Sequence, residues 1–247
     1  NEYFTVANVN QYCTIRYVYI SKDEAKASAT YLSSYRGVIV DDYTTVVDDF
    51  MSDATDEDEV DDEDEEEVEV NDKDKYIYIS SFETGIKPVS DSDGIYDITG
   101  FIGRYAGEAY LSPIKFKQST VDVVIGSNLV ATFSSKYPLD FEGIDEVRAF
   151  TAYDSKDNVV PFYRVFYKTP PATGLIVRAD TRGTYQVPCK VNNASIGRTN
   201  FMKPAVEQTQ VYPTEVDETT HETYTNYILA LYNGVVAFHP IVAGSCF

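Results

Sequence analysis

From about Thr120 to Phe247 the chain is a succession of short runs rich in Val, Ile, Thr, Tyr and Phe, separated by Gly, Pro, Asn and Asp. Short apolar runs with turn residues at this spacing are what a sandwich or barrel requires. The strand candidates are Val121–Ile125, Leu129–Phe133, Glu146–Tyr153, Val159–Tyr167, Gly174–Arg178, Thr184–Val191, Tyr224–Tyr232 and Val235–His239. Tyr232-Asn233-Gly234-Val235 is the sharpest local signal, because Asn-Gly accepts the two positive φ angles of a type I′ hairpin turn. The aromatic content points the same way: 21 Tyr and 13 Phe, against 2 Met and no Trp, suit a pleated, half-buried surface.

The first part of the chain changes grammar more than once. Tyr12–Ile20 alternates as a strand, with Cys13, Ile15, Tyr17 and Tyr19 on one side and Thr14 and Arg16 on the other. Ser21 and Glu24 then have the S-x-x-E spacing of a capping box, in which each side chain satisfies an orphan backbone N–H of the other. This predicts one short helix over residues 22–33, with Gly37 as its stop. Val38–Val40, Tyr43–Val47 and Lys75–Ser80 are further strand candidates, and Gly94–Gly107 alternates short apolar pieces with glycine. Ser112–Thr120, with its proline and polar cluster, reads as a linker. The expected fold is mainly β, in two β-rich domains of sandwich or barrel-like form. Residues 1–118 would make an N-terminal domain with a short helix and an acidic insert (53–74), and residues 119–247 a C-terminal β-sandwich module.

The charge is concentrated. The net charge is -20, and Asp56–Glu69 carries twelve carboxylates and no basic residue, so the rest of the chain holds only -8. This balance argues against nucleic acid and anionic lipid as partners, since both demand Lys and Arg to neutralise phosphate. No run reaches the 18 or so apolar residues of a membrane-spanning helix, so no membrane insertion is expected. The chain starts at Asn1 rather than at a methionine, as a processed, exported chain or a fragment of a longer one would. A dense run of one charge with little apolar surface reads first as a solvated loop.

Carboxylates also suggest calcium, which takes six to eight oxygen ligands. Asp56-x-Asp58-x-Val60 lacks the third ligand of an EF-hand loop and the glycine that turns it. Asp91, Asp93 and Asp97, set around Gly94, are the better candidate ligands, although Asp-Gly is first of all a turn. Calcium is thus the one cofactor suggested, and none is required. Cys13, Cys189 and Cys246 are too few and too scattered for a zinc site or a disulfide framework. Cys189 shares a face with Tyr185, Val187 and Val191, the position of a buried thiol; one disulfide among the three cysteines stays open. His221 and His239 are the only histidines, each read as a surface or core-edge residue. No phosphate-binding loop, dinucleotide fingerprint, nucleophile elbow or H-E-x-x-H motif is present, and no catalytic residue is assigned.

An ordered series of short motifs resembles a β module that recurs at the C-terminal end of exported proteins of gut Bacteroidota. It begins with Thr120-Val-Asp-Val-Val-Ile-Gly126, Ala131-Thr-Phe133 and Leu139-Asp-Phe141-Glu-Gly143. Val147–Ala152, Pro171–Val177, Gly183–Pro188, Asn200-Phe201, Tyr227–Ala230, Gly234–Phe238 and Ala243–Phe247 follow in order. The resemblance covers about the second half of the chain and implies an exported, mostly surface-located β module without known catalytic residues. The module usually continues past the position of Phe247 by at least one apolar residue, which would leave a last strand truncated or completed by another chain.

The expectation is therefore a non-enzymatic, extracellular or cell-surface protein with a structural or adhesive role, self-associating into a fibre by strand exchange or holding a surface partner. The alternatives are a carbohydrate-binding module with tyrosine platforms for a glycan, weakened by the lack of Trp, and a virion structural protein carrying the same module.

Overall fold

The computed structural model describes residues 10–30, 34–39, 76–82, 84–88, 93–105, 108–153, 159–191, 196, 199–206, 212–216 and 218–242. The strand expected at Tyr43–Val47, the acidic insert, Asp91 and Cys246 lie outside them. The chain divides into two compact units, 1–120 with 188–191, and 121–187 with 192–247. Both are β-rich, and the one helix among the described residues is short.

The first unit contains β1 (Tyr12–Ile20), α1 (Lys22–Thr30), β2 (Ser34–Ile39), β3 (Tyr76–Ser80), β4 (Gly94–Tyr105) and β5 (Glu108–Gln118). The five strands close into a barrel in the order β1-β2-β3-β5-β4, antiparallel except for β3 and β5. Closure removes the sheet edges that would otherwise be open to pairing. Val18, Ile20, Tyr35, Ile77, Ile79, Tyr96, Ile98 and Leu111 fill the interior, and Ala25 of α1 packs into the same cluster.

Three expectations fail here for identifiable reasons. The single alternation along β1 breaks at a bulge between Ile15 and Val18 in its pairing with β4, where Tyr17 takes φ 56°. The extra residue shifts the pleat by one, so Val18 and Ile20, rather than the odd positions alone, enter the core. Gly37 is no helix stop: it lies within β2, where an added Cβ would meet Val18 Cγ1 at 2.6 Å and Ile79 Cδ1 at 3.0 Å. Nor is Ser112–Thr120 a linker, since its first seven residues belong to β5. Pro113 sits opposite Gly100 where the register of β4 and β5 shifts, a site that tolerates the missing N–H, and an added Cβ on Gly100 would collide with the Ser112 carbonyl.

The capping box forms by half. Ser21 Oγ accepts the Glu24 N–H at 3.2 Å, but the Glu24 carboxylate turns to β2, accepting Arg36 N at 3.0 Å and Arg36 Nε at 2.9 Å. Lys22 N at the start of the helix donates to Asp93 Oδ1 at 2.6 Å.

The second unit has a strand at each of the eight expected places and, among the described residues, three short ones that were not expected, at Leu139–Asp140, Lys168–Thr169 and Thr214–Val216. Its strands are β6 (Thr120–Ile125), β7 (Val130–Phe133), β8 (Leu139–Asp140), β9 (Val147–Ala152), β10 (Phe162–Val165), β11 (Lys168–Thr169), β12 (Leu175–Ala179), β13 (Gly183–Pro188), β14 (Thr214–Val216), β15 (Thr223–Thr225), β16 (Tyr227–Tyr232) and β17 (Val235–Pro240). A four-stranded sheet, β10-β9-β12-β7, carries the core, with the two-stranded pairs β11-β8 and β13-β6 beside it in a sandwich-like arrangement. The inward face of the sheet is Val147, Ala149 and Thr151 on β9 and Leu175, Val177 and Ala179 on β12, all buried. Asn200 ties the ends of these strands: its Oδ1 accepts Ala152 N at 3.2 Å and its Nδ2 donates to the Gly174 carbonyl at 2.8 Å.

Candidate interaction surface

β16 and β17 pair in full register from Tyr227–Pro240 to Tyr232–Val235, around a turn in which Asn233 has φ 50° and Gly234 φ 77°. Directly opposed residues share a face, so one face of the hairpin carries Tyr227, Leu229, Leu231, Val236, Phe238 and Pro240. The other carries Ile228, Ala230, Tyr232, Val235, Ala237 and His239. Strands apolar on both faces are normally found where both faces are covered. None of these twelve residues is buried, and Tyr227, Leu231, Tyr232 and Val235 are each more than half exposed, at 55%, 51%, 66% and 63%. A lone two-stranded hairpin is marginal in water, and covering what remains exposed of each such side chain contributes ~1–2 kcal/mol.

Phe238 stacks on Phe162 with ring centroids 6.1 Å apart. Phe162 begins β10, the edge of the four-stranded sheet, whose ladder partner among the described residues is β9 alone. The run Phe162-Tyr-Arg-Val-Phe-Tyr167 does not alternate apolar with polar as a strand with one solvated face would, and Phe162, Tyr163, Phe166 and Tyr167 are all exposed. Tyr163 meets Tyr153 edge-to-face at 5.7 Å. His239 faces Tyr232 edge-on, and its Nε2 is enclosed with no hydrogen-bond partner among the described residues. An open strand edge and a two-sided apolar hairpin thus adjoin, and such edges accept a further strand through main-chain hydrogen bonds.

Of the expected calcium ligands, Asp91 is outside the described residues, and Asp93 and Asp97 stand at the start and the fifth residue of an extended run. Four residue steps of extended chain set their backbones ~13 Å apart. Each has another partner: Asp93 holds the first turn of α1, while Asp97 accepts Ser119 Oγ at 2.6 Å and Tyr17 N at 3.3 Å and pairs with Arg16 at 3.4 Å. Among the described residues no three His, Cys, Asp or Glu side chains converge as a metal site.

Asp97 belongs to a polar knot that explains the β1 bulge. The Arg16 guanidinium lies 4.8 Å from the Tyr17 ring centroid, Tyr17 Oη donates to the Thr120 carbonyl at 3.3 Å, and the positive φ turns Tyr17 N toward the carboxylate. Nearby, Cys189 N donates to the Ser119 carbonyl at 2.8 Å and the Cys189 carbonyl accepts Gln118 Nε2. The Cys189 side chain is fully buried, as the alternation of residues 185–191 implied. Burial foremost, then the Asp97 charge, pushes its thiol up to about 12, with Arg16 opposing. A thiol so placed stays protonated at neutral pH and is a poor nucleophile.

The hairpin turn was legible in the sequence, and so was a strand within residues 159–167, although it spans only Phe162–Val165. The lack of a second partner for β10 among the described residues was not, although the aromatic-rich run Phe162–Tyr167 was its signal. The bulge had none, because nothing in Arg16-Tyr17 marks a left-handed residue. Compared with known protein families, characterised proteins and solved structures, this chain matches none.

Proposed function

We propose that this chain is a non-enzymatic structural or adhesive protein of the cell surface, whose copies associate by strand addition at the β10 edge and the β16–β17 hairpin. The observation that carries the reading is the hairpin itself, apolar on both faces and buried on neither. The motif series of the second half supports an exported setting. A partner strand against β10 would pair its open ladder, and side chains laid on the hairpin would cover Tyr227, Leu231, Tyr232 and Val235.

Sedimentation velocity over a wide concentration range tests this directly. The expected result is a mass that rises with concentration and falls back to the monomer in the double variant Leu231→Asp/Val235→Asp. A chain that remains monomeric throughout rules the reading out. Specific binding to a glycan array by a monomer would instead favour the tyrosine-platform alternative.

A further inference from the structure

The outward face of the four-stranded sheet is basic. Arg148 on β9 lies directly opposite Arg178 on β12, and Arg164 on β10 shares their face through its register with Phe150. Directly opposed like charges ~5 Å apart at Cβ destabilise a sheet unless an anion neutralises them. Asp180 supplies one, at 2.5 Å from the Arg148 guanidinium. Arg164, 4.8 Å from the Phe166 ring, and the exposed Arg178 have no carboxylate partner among the described residues.

In a protein of net charge -20 this face is the exception, and the same chain contains its complement: Asp56–Glu69, twelve carboxylates in fourteen residues. We infer that the Arg148–Arg164–Arg178 face is a docking site for the acidic segment 56–69 of a second copy. Arg148 and Arg178 side by side, with Arg164 diagonal to them on the same face, offer planar donors to successive carboxylates, and the Phe166 ring lies beside the Arg164 guanidinium. The inference rests on the reading that copies associate, but the contact differs in kind from strand addition. It is ionic and screened by salt, while a main-chain ladder with apolar cover is not.

The test uses the full chain in two variants: Arg164→Glu/Arg178→Glu, which places an acid opposite Arg148 and so leaves the sheet satisfied, and a chain with the twelve carboxylates of 56–69 changed to their amides. Circular dichroism and melting establish that both fold. A fluorescent peptide of residues 55–70 is titrated against the amide variant. It is expected to bind saturably, at least ~10-fold more weakly when the arginine reversal is added, and more weakly again when NaCl is raised from about 0.05 M to about 0.5 M. In sedimentation, both variants are expected to weaken self-association of the chain. Peptide binding unchanged by the arginine reversal overturns the inference, and so does association indifferent to salt and to both variants, which leaves strand addition standing. Association lost in Arg164→Glu/Arg178→Glu but intact in Leu231→Asp/Val235→Asp supports the ionic contact and removes the strand-addition reading. A wild-type chain that is monomeric throughout removes both.

Discussion

Asn200 and Cys189 show how single side chains hold this protein together. Asn200 satisfies the Ala152 N–H, the Met202 N–H and the Gly174 carbonyl at once. Asn200→Ala leaves these part-buried groups to find water and is expected to destabilise the second unit by ~2 kcal/mol, measured by urea unfolding. Cys189 and Tyr19 make an alkaline limit. Burial raises both above their ordinary 9.0 and 10.0, to about 12 in each case, with Asp93 and Asp23 adding to the effect on Tyr19. Both groups are neutral when protonated, so the folded state holds its protons more tightly than the unfolded chain. Stability is therefore full below about pH 9 and falls as the pH rises toward 12. Cys189→Val, which keeps the site apolar, is expected to move the alkaline unfolding midpoint upward, as followed by far-UV circular dichroism. A midpoint that does not move would mean that the thiol ionises without opening the core.

Elements in this chain are set by their neighbours as much as by their own composition. The helix α1 starts on Ser21 and Asp93 but gives its Glu24 to Arg36, so its N-terminus and β2 are coupled through one carboxylate. Ser21→Ala should cost about 1 kcal/mol, the usual loss for a hydroxyl cap, readable as a lowered Tm. The close pairing of β4 and β5 at their register shift is less forgiving. A methyl group on Gly100 has the Ser112 backbone in its way, and backbone cannot rotate aside as a side chain can. Gly100→Ala is expected to destabilise the barrel by ~2 kcal/mol or more, while Gly126→Ala, with open space around it, should leave stability nearly unchanged. Equal effects of the two substitutions in thermal melts would contradict this close pairing. At this scale the ladder of residues 120–240 was readable because turn residues punctuate it. β5 was not, because a proline and several polar residues imitate a linker when their partner strand is unknown.

For the molecule as a whole, the distribution of apolar surface and charge sets the behaviour. The barrel has closed its edges, whereas among the described residues the second unit keeps an aromatic edge strand and a hairpin with no buried residue. Hydrogen exchange should reflect this: amides of β9 and β12 protected, and those of β16 and β17 exchanging rapidly in dilute protein but slowing as concentration rises. Exchange of the hairpin independent of concentration would speak against its burial between copies.

The sequence alone determined that the protein is mainly β, where most strands of the second unit run, the hairpin turn at Asn233-Gly234 and the burial of Cys189. These follow from local rules of period two and turn chemistry, which need no partner. Only the tertiary structure decided which edges stay open, where the pleat slips at Tyr17, and that Arg148, Arg164 and Arg178 share a face. Each depends on the register between strands far apart in the chain, and a shift of one residue in that register exchanges the two faces of a strand.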